Sequence, residues 1–400
     1  SDPPIDLAPA PRRTPARGPI VNERHREMTS KLFSSFALRT LALKNRIVVS
    51  PMCQYSADDG VASDWHMAHL PTMAVSGAGL TMIEMTDVEP AGRITSGCLG
   101  LYSDACEAAL QRVVRSAKRW GGAAIGIQLA HAGRKGSTHK PWDGGAPLQP
   151  QAGAWQTVAP SAIPFADGWP APAALTETEI ERIVGAFAAA ARRALRAGVD
   201  LVELHGAHGY LLHQFQSPLS NKRTDKWGGS VENRMRFPLR VVEAVRAVWP
   251  EDKPLGMRIS CHEWTDGGLT LDDAVVYARA LKARGVDYVC CSGGGNVATA
   301  KIPIAPGYMV EFAAKVRRDA GIATRAIGMI LTPRQAETIV ADGHADMVAL
   351  ARGFLDDPRW GWHAAEALGA PIPAPPQYQR ATRDTWPGAK LVRPTAVAAE

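Results

Sequence analysis

Eight short, nearly continuous apolar runs recur between residues 46 and 353, and each is followed by a stretch with the spacing of an amphipathic helix. Apolar runs of this kind are typical of parallel strands that are covered on both faces. Eight strand–helix units in succession predict an α/β fold, a (β/α)8 TIM barrel. The eight runs are RIVVSPM (46–52), LTMIEM (80–85), AAIGIQL (123–129), VDLVELHG (199–206), PLGMRIS (254–260), VDYVCCSGG (286–294), ATRAIGM (323–329) and ADMVALARG (345–353).

Capping residues support the boundaries of two of the predicted helices. Thr176 and Glu179 have the spacing of a capping box, and Gly198 follows the same helix as its C-cap. Thr270 and Asp273 repeat the N-terminal pattern before a later helix. A doubly wound sheet is the alternative fold, and it is disfavoured because no GxGxxG follows the first apolar run.

The barrel is predicted to span residues 31–370 with one long connection. Residues 130–175 hold seven prolines, and a connection of this size is usually a functional lid or an excursion over the barrel mouth. Residues 1–30 are rich in Pro and Arg and lack both a hydrophobic period and the apolar core of a signal peptide. We expect them to form a mobile extension, with strapping of a neighbouring subunit as the alternative role.

Composition narrows the class of protein. Of 400 residues, 46% are apolar and 21% are charged, which allows a sizeable core and excludes wholesale disorder. The net charge of +6 is spread along the chain, so a nucleic-acid partner is disfavoured, whereas a bound anionic cofactor fits the surplus. No run approaches 18 apolar residues, which excludes a spanning helix. Six cysteines without a CxxC pair indicate a reduced, cytoplasmic protein.

Polar residues gather where the predicted strands end. In a barrel of this type the chemistry lies at the carboxyl ends of the strands, and polar groups converging there from six strands are hard to explain as packing. They are Ser50 to Tyr55 after the first run, Glu84 to Thr86 at the second, Gln128 and then His131 to Lys135 at the third, His205 to Tyr210 at the fourth, Arg258 in the fifth and Ala351 to Gly353 at the eighth.

Four segments at these strand ends and near the C-terminus resemble the Old Yellow Enzyme family of flavin-dependent ene-reductases. They are SPMCQYS, QLAHAGRK, ELHGAHGYLLHQFQSPLSNKRTDKWGGSVENR and PAPPQYQR, and the similarity is greatest to the bacterial branch with Cys in the first motif. The resemblance extends from about residue 31 to residue 380. It implies tightly bound FMN, NADPH as hydride donor with NADH as the alternative, and ping-pong reduction of the activated C=C bond of a small α,β-unsaturated carbonyl compound.

In that family, the positions of His205 and His208 donate hydrogen bonds to the substrate's carbonyl oxygen, and Tyr210 donates a proton to the α-carbon. Two donors aimed at one oxygen would stabilise the negative charge that grows during hydride addition, and a phenol can complete the addition as a general acid. By itself the HxxH pattern also fits two core histidines or a metal pair. No metal is predicted, because metal-dependent barrel enzymes tend to need further His and carboxylate ligands at matched strand ends, and the first strand supplies Cys and Tyr instead of an HxH.

The same resemblance assigns the FMN site. Arg258 would lie beside the N1–O2 edge of the flavin, where a fixed positive charge favours the anionic reduced form. Gln128 would meet the pyrimidine edge with its amide. Arg352, together with the backbone of Gly328 and Ala351, would hold the phosphate, at the usual phosphate position of this fold.

The first motif and Met85 would surround the flavin ring. Cys53 is expected near N5, where it tunes the redox potential; a nucleophilic Cys53 is the alternative, without a His–Asn partner pattern to support it. Tyr55 is expected in the substrate pocket, and Met85 stands where the family usually has a small residue. The residues expected to line the ring are Ser50, Pro51, Met52 and Cys53.

The C-terminal tail, residues 371–400, is predicted to lie at a subunit contact. In the Cys-bearing branch the Arg that matches Arg380 reaches into the active site of a neighbouring subunit, so a homodimer or homotetramer with Arg380 acting in trans is implied. A solvated side chain is the alternative for Arg380.

Two other functions fit parts of the pattern. The first is a cofactor-free lyase or isomerase that uses Arg352 to bind a phosphorylated substrate. The second is a non-catalytic protein that stores flavin, although such a protein would make little use of His205, His208 and Tyr210 together. The physiological substrate and the preference between NADPH and NADH are not encoded in any motif of the chain.

Overall fold

The computed structural model describes residues 30–392, so most of the extension predicted over residues 1–30 and the last eight residues of the tail lie outside the described residues. Eight parallel strands close into a barrel in the order β3-β4-β5-β8-β9-β10-β11-β12. The (β/α)8 prediction is confirmed, and each barrel strand falls within or at the edge of one of the eight apolar runs. The strands are β1 (Phe36–Leu38), β2 (Leu41–Leu43), β3 (Ile47–Val49), β4 (Leu80–Asp87), β5 (Ala124–Ala130), β6 (Val158–Ala159), β7 (Ala173–Ala174), β8 (Leu201–Gly206), β9 (Leu255–Ser260), β10 (Tyr288–Ser292), β11 (Ala323–Ala326) and β12 (Met347–Leu350).

Helices follow the barrel strands and cover their outer faces. The capping box of α3 is present: Thr176 N–H donates to Glu179 at 2.7 Å, and Glu179 N–H donates to the Thr176 hydroxyl at 3.3 Å. Gly198 ends that helix in the left-handed conformation, at φ 87°. The helices are α1 (Asp64–Ala74), α2 (Asp104–Trp120), α3 (Glu177–Ala197), α4 (Leu211–Gln216), α5 (Val231–Arg246), α6 (Leu271–Lys282), α7 (Val310–Ala320), α8 (Pro333–Ala341), α9 (Arg352–Asp356), α10 (Trp360–Leu368) and α11 (Ala389–Val392).

The β1–β2 hairpin, which the hydrophobic pattern did not predict, lies at the amino end of the barrel. At its turn, Arg39 donates to Asp287 at 2.7 Å and the Thr40 hydroxyl donates to the Asp252 carbonyl at 2.8 Å. Asp287 directly precedes β10 and Asp252 lies three residues before β9, so the hairpin covers the end of the barrel opposite the predicted chemistry.

The long connection between β5 and α3 packs on the carboxyl end of the barrel. It contains three short 3-10 helices and the small parallel β6–β7 pair. The Arg134 guanidinium donates to the carbonyls of Ile163 and Pro164 within the connection, and to Asn296 in the loop after β10 at 2.7 Å. One buried cation therefore fastens the connection to the mouth. In the described part of the chain, no helix is long and apolar enough to cross a membrane.

Candidate active site

The end of β8 brings His205, His208 and Tyr210 together at the barrel mouth. The His205 ring centroid lies 5.0 Å from that of His208 and 4.8 Å from that of Tyr210. The centroids of His208 and Tyr210 are 6.5 Å apart. The chain turns sharply here because His208 and Gly209 both have left-handed backbones, at φ 59° and 75°. A Cβ on Gly209 would lie 2.3 Å from the Gly295 carbonyl oxygen, so only glycine allows this approach.

Both histidines are held neutral. Burial lowers the pKa of His205 and of His208 well below the usual value, and the neighbouring charge of Arg258 lowers both further. His205 Nδ1 accepts from Ala207 N–H at 3.2 Å, which leaves the ring proton on Nε2. His208 Nε2 lies 2.7 Å from the Ser292 hydroxyl, and a Ser292 that donates there leaves the proton on Nδ1. Each neutral ring thus retains one N–H donor.

Tyr210 keeps its phenolic proton at neutral pH. Burial raises its pKa far above 10, and the nearby Cys53 and Tyr55 raise it further. The side chain makes no capping bond at the start of α4, although its backbone begins that helix. A protonated phenol beside two neutral imidazoles can donate a proton to a bound molecule.

Lys135, to which no role was assigned from sequence, holds the backbone of this cluster through hydrogen bonds. Its Nζ donates to the carbonyls of His208 at 2.9 Å and Gly295 at 2.8 Å, and it lies 5.3 Å from the centroid of the Tyr210 ring. Burial and the adjacent Arg134 lower its pKa to about 8. The signal that could have found it is a basic residue five positions after the end of a buried strand.

The loop after β3 carries Cys53 and Tyr55 to the same place. Glu84, buried in β4, accepts from Gln54 N–H at 2.9 Å and pairs with His66 of α1 at 3.1 Å. Tyr55 adopts a left-handed backbone at φ 50°. A buried carboxylate therefore fixes the loop, and His66 acts through it as a structural partner.

Met85 lies in a small buried apolar cluster at the barrel mouth. It is 2% exposed and belongs to a cluster against which Cys53, Tyr55 and Tyr210 pack. On the outer side, Tyr55 meets the indole of Trp142 edge-on at 5.8 Å, and Trp142 is 63% exposed on the long connection. The other members of the cluster are Ile94, Cys98, Ala130 and Ala132.

Cys53 is expected to react slowly with alkylating reagents at neutral pH. Burial raises its pKa well above the usual value, and Cys98 raises it further, so the reactive thiolate is scarce. In the purified protein, iodoacetamide should label Cys53 at least about tenfold more slowly than free cysteine, as measured by peptide mass spectrometry. Rapid labelling at neutral pH would instead support the nucleophilic alternative.

Two arginines, Arg258 and Arg352, lie near the ring of Tyr308. Arg258 makes no ion pair with the described residues, and its buried Nε has no hydrogen-bond partner. Arg352 is exposed at the start of α9, next to Ala351. Burial raises the pKa of Tyr308, and Arg352 and Arg258 both oppose that shift, so both charges lie near the same ring. Gly328 is half-buried at φ 103°, and a Cβ there would lie 3.1 Å from the side chain of Met309, just before α7.

The remaining residues expected around the flavin ring lie at the strand ends of the same barrel. Gln128 is buried in β5, and its Nε2 donates to Glu203 at 2.8 Å. Ser50 and Pro51 are buried, and Met52 packs half-buried against the core. Among residues 30–392, no group of three or more His, Cys, Asp or Glu side chains could hold a metal ion.

Arg380 is not brought to this site within its own chain. It lies exposed on the 3-10 helix Pro376–Ala381, and no hydrogen bond or ion pair joins it to the other described residues. The tail is anchored on α10 instead, where Tyr378 packs against Trp362 at 5.9 Å and Arg359 stacks over Tyr378 at 4.0 Å. Its action in trans stays a prediction.

Comparison with known proteins gives consistent matches along most of the chain. The model of the NADH:flavin oxidoreductase / NADH oxidase family matches residues 31–369. An NADPH dehydrogenase of Geobacillus sp. (strain WCH70) is 47% identical over 358 residues, covering 89% of this chain and 100% of that protein. An NADPH dehydrogenase of Listeria innocua serovar 6a is 44% identical over 354 residues, covering 88% and 99%.

Two solved structures resemble the fold. Morphinone reductase matches with a TM-score of 0.72 and 29% identity, over 86% of this chain and 91% of that one. 2-Naphthoyl-CoA reductase, in complex with 2-naphthoyl-CoA, matches with a TM-score of 0.77 and 26% identity over 86% of this chain. The match covers 53% of that longer protein, so the chain spans about half of its length.

Proposed function

Because the chain belongs to the NADH:flavin oxidoreductase / NADH oxidase family, that of Old Yellow Enzyme, we propose that it reduces the activated C=C bond of α,β-unsaturated carbonyl compounds, with FMN as cofactor and NADPH as hydride donor. The observation that carries this proposal is the cluster of His205, His208 and Tyr210 at one barrel mouth. Two neutral N–H donors and one protonated phenol are the groups that such an addition requires.

The residues present fit FMN. Arg258 is a buried cation whose Nε has no partner in the described chain, as expected of a group that meets an anionic ring. Gln128, Ser50, Pro51, Met52, Cys53 and Met85 would surround the ring, and Gly328, Ala351 and Arg352 would hold the phosphate. When bound, the flavin would supply the hydride chemistry, which no side chain of the chain can provide.

The chain's own residues would do the rest. The N–H donors of His205 and His208 would bind the carbonyl oxygen and stabilise the charge that develops on it. Tyr210 would then release its proton to the α-carbon, while Lys135 holds the backbone of His208 in place. Tyr55 and Trp142, whose rings meet edge-on, would form the outer wall of the mouth, where the substrate would enter.

The relatives support the choice of hydride donor. Both sequence relatives described above are named NADPH dehydrogenase, so NADPH is proposed as the donor and NADH as the alternative.

Family membership favours this function over a cofactor-free lyase acting on a phosphorylated substrate. We place the enzyme in the cytoplasm, with small molecules as its only substrates.

Colour and redox cycling test the proposal directly. The purified protein should be yellow and release FMN on denaturation. Under anaerobic conditions NADPH should bleach it, and cyclohexenone should restore the colour while being reduced at its C=C bond. A colourless protein would remove the flavin assignment, and bleaching without recovery by any enone would remove the proposed substrate class.

We further propose that the enzyme is a homodimer or homotetramer in which Arg380 acts across the subunit contact. If so, exchange of subunits between His208→Ala and Arg380→Ala proteins should give activity above the mean of the two parents. Each mixed dimer would own one site with both lesions and one with neither. Activity is measured by NADPH oxidation with an enone, after native mass spectrometry has shown that exchange is complete.

The control is a double His208→Ala/Arg380→Ala protein mixed with the unmodified protein. Every site of that mixed dimer carries one lesion if Arg380 acts in trans, so activity should fall below the mean. A protein that sediments as a monomer, or two mixtures that both give the mean, would contradict the prediction.

A further inference from the structure

An ion pair fills the barrel interior one layer below the mouth. Glu203 and Arg325 are both fully buried there, and their side chains form a salt bridge. Barrel interiors of this type are normally filled by branched apolar side chains. Removing two charges from water is costly, so such a pair is weak evidence for stability and requires another explanation.

The strand register places this pair directly beneath the residues already described. Glu203 lies two residues before His205 on β8, and it is paired across the sheet with Gln128 of β5. The ring of Tyr288 crosses the barrel over Gly256, where a Cβ would lie 2.1 Å from it. These residues form a single polar layer in the centre of the barrel.

Both carboxylate oxygens of Glu203 accept hydrogen bonds. Its Oε1 accepts from Gln128 Nε2 at 2.8 Å, and its Oε2 accepts from the Tyr288 hydroxyl at 2.7 Å and from the Arg325 guanidinium. An ionised carboxylate is only an acceptor, so Gln128 must turn its nitrogen, and not its oxygen, towards Glu203. Arg325 and Tyr288 stabilise the charge that imposes this choice.

The amide oxygen of Gln128 is left for another partner. This oxygen accepts no hydrogen bond from the described residues, and they do not enclose it completely. It therefore borders accessible space and is available as an acceptor.

We propose that Glu203, held by Arg325 and Tyr288, is a positioning residue that locks the Gln128 amide with its oxygen towards the cofactor. This inference rests on the proposed FMN function and deepens it. The pyrimidine ring of a flavin has a single N–H, at N3, between two carbonyl groups. A locked acceptor recognises that N–H and rejects a ring in which N3 carries a methyl group.

Replacement of Glu203 tests the lock by reversing it. In Glu203→Gln, the new amide oxygen would stay with Arg325 and Tyr288, which are both donors. The NH2 group of the new glutamine would then donate to the oxygen of the Gln128 amide. The Gln128 amide would therefore turn over, and its own NH2 group would face the cofactor. In Glu203→Gln/Arg325→Met neither member of the pair carries a charge, and the Gln128 amide is free to adopt either orientation.

The measurement is a competition between FMN and 3-methyl-FMN for the full-length protein. Holoprotein is incubated with an equimolar excess of both flavins until the bound ratio is constant, and the retained flavins are released and quantified by chromatography. The unmodified protein should retain FMN over 3-methyl-FMN by about tenfold or more, the range expected when a buried polar group loses its partner. In Glu203→Gln, and in the double variant if the single one does not fold, the ratio should fall to within about threefold.

Tyr277→Phe is the matched control, because it also removes a fully buried hydroxyl, one whose single hydrogen bond among the described residues goes to the sulfur of Met257. It should keep the ratio of the unmodified protein. If both Glu203 variants lose total flavin or thermal stability but keep the unmodified ratio, their role is structural and the inference is wrong. Equal retention of both flavins by the unmodified protein would also overturn it. A protein that binds no flavin would instead remove the proposed function itself.

Discussion

His208→Ala is expected to keep its FMN and to lose about 100- to 1,000-fold in the rate of enone reduction, the usual loss when one donor to a developing oxyanion is removed. His208 is held in place from two sides, by the Ser292 hydroxyl at its ring and by Lys135 at its carbonyl. Burial keeps it neutral, so the substitution removes an N–H donor and no positive charge. The loss should therefore appear in the step that builds charge on the carbonyl oxygen.

The measurement is stopped-flow reoxidation of the NADPH-reduced protein by cyclohexenone, with flavin content checked by absorbance. His363→Ala is a suitable control, because that histidine pairs with Asp357 near α10, outside the cluster at the strand ends. Reoxidation of His208→Ala at the rate of the unmodified protein would show that the carbonyl is bound elsewhere.

Tyr210→Phe should slow reoxidation by enones about 100- to 10,000-fold, the range that a positioned general acid contributes, and leave reduction by NADPH nearly unchanged. The phenol is buried and protonated, and the substitution keeps the ring that packs against His205. Hydride transfer into the flavin needs no proton from this residue, whereas addition across the C=C bond does.

Both half-reactions are followed separately by stopped-flow absorbance. Tyr102→Phe, which removes a hydroxyl that donates to the Asp59 carbonyl away from the cluster, should match the unmodified protein in both. Equal slowing of the two half-reactions by Tyr210→Phe would point to a distorted flavin site rather than to a lost acid.

Much of the fold follows from local sequence, because buried parallel strands and capped helices leave continuous or periodic patterns. The β1–β2 hairpin has only three residues in each strand, and the β6–β7 pair only two, which is too short for a period to be recognised. Their positions depend on tertiary contacts, such as the bonds of Arg39 and Thr40 to distant loops.

The candidate site could be predicted in part for a similar reason. His205, His208 and Tyr210 lie within six residues of one strand end, so their proximity is local. The Glu203–Arg325 pair joins residues 122 apart in sequence, and Gln128 lies 75 residues from Glu203. Only the closure of the barrel brings them together. A charged residue in the middle of an apolar run, as at Glu203 and Arg325, is the local sign of this pair in the sequence.

The left-handed backbone at residue 208 also narrows the sequences that evolution or a mutagenesis library can sample there. At φ 59°, branched side chains such as Val, Ile and Thr are disfavoured whatever their chemistry, whereas Asn, Asp and Gly are tolerated. Of these, Asn alone combines the required backbone with an N–H donor. A saturation library at this position therefore contains far fewer usable variants than its twenty amino acids suggest. Among them, Asn is the substitution expected to keep a weaker hydrogen bond to a carbonyl group.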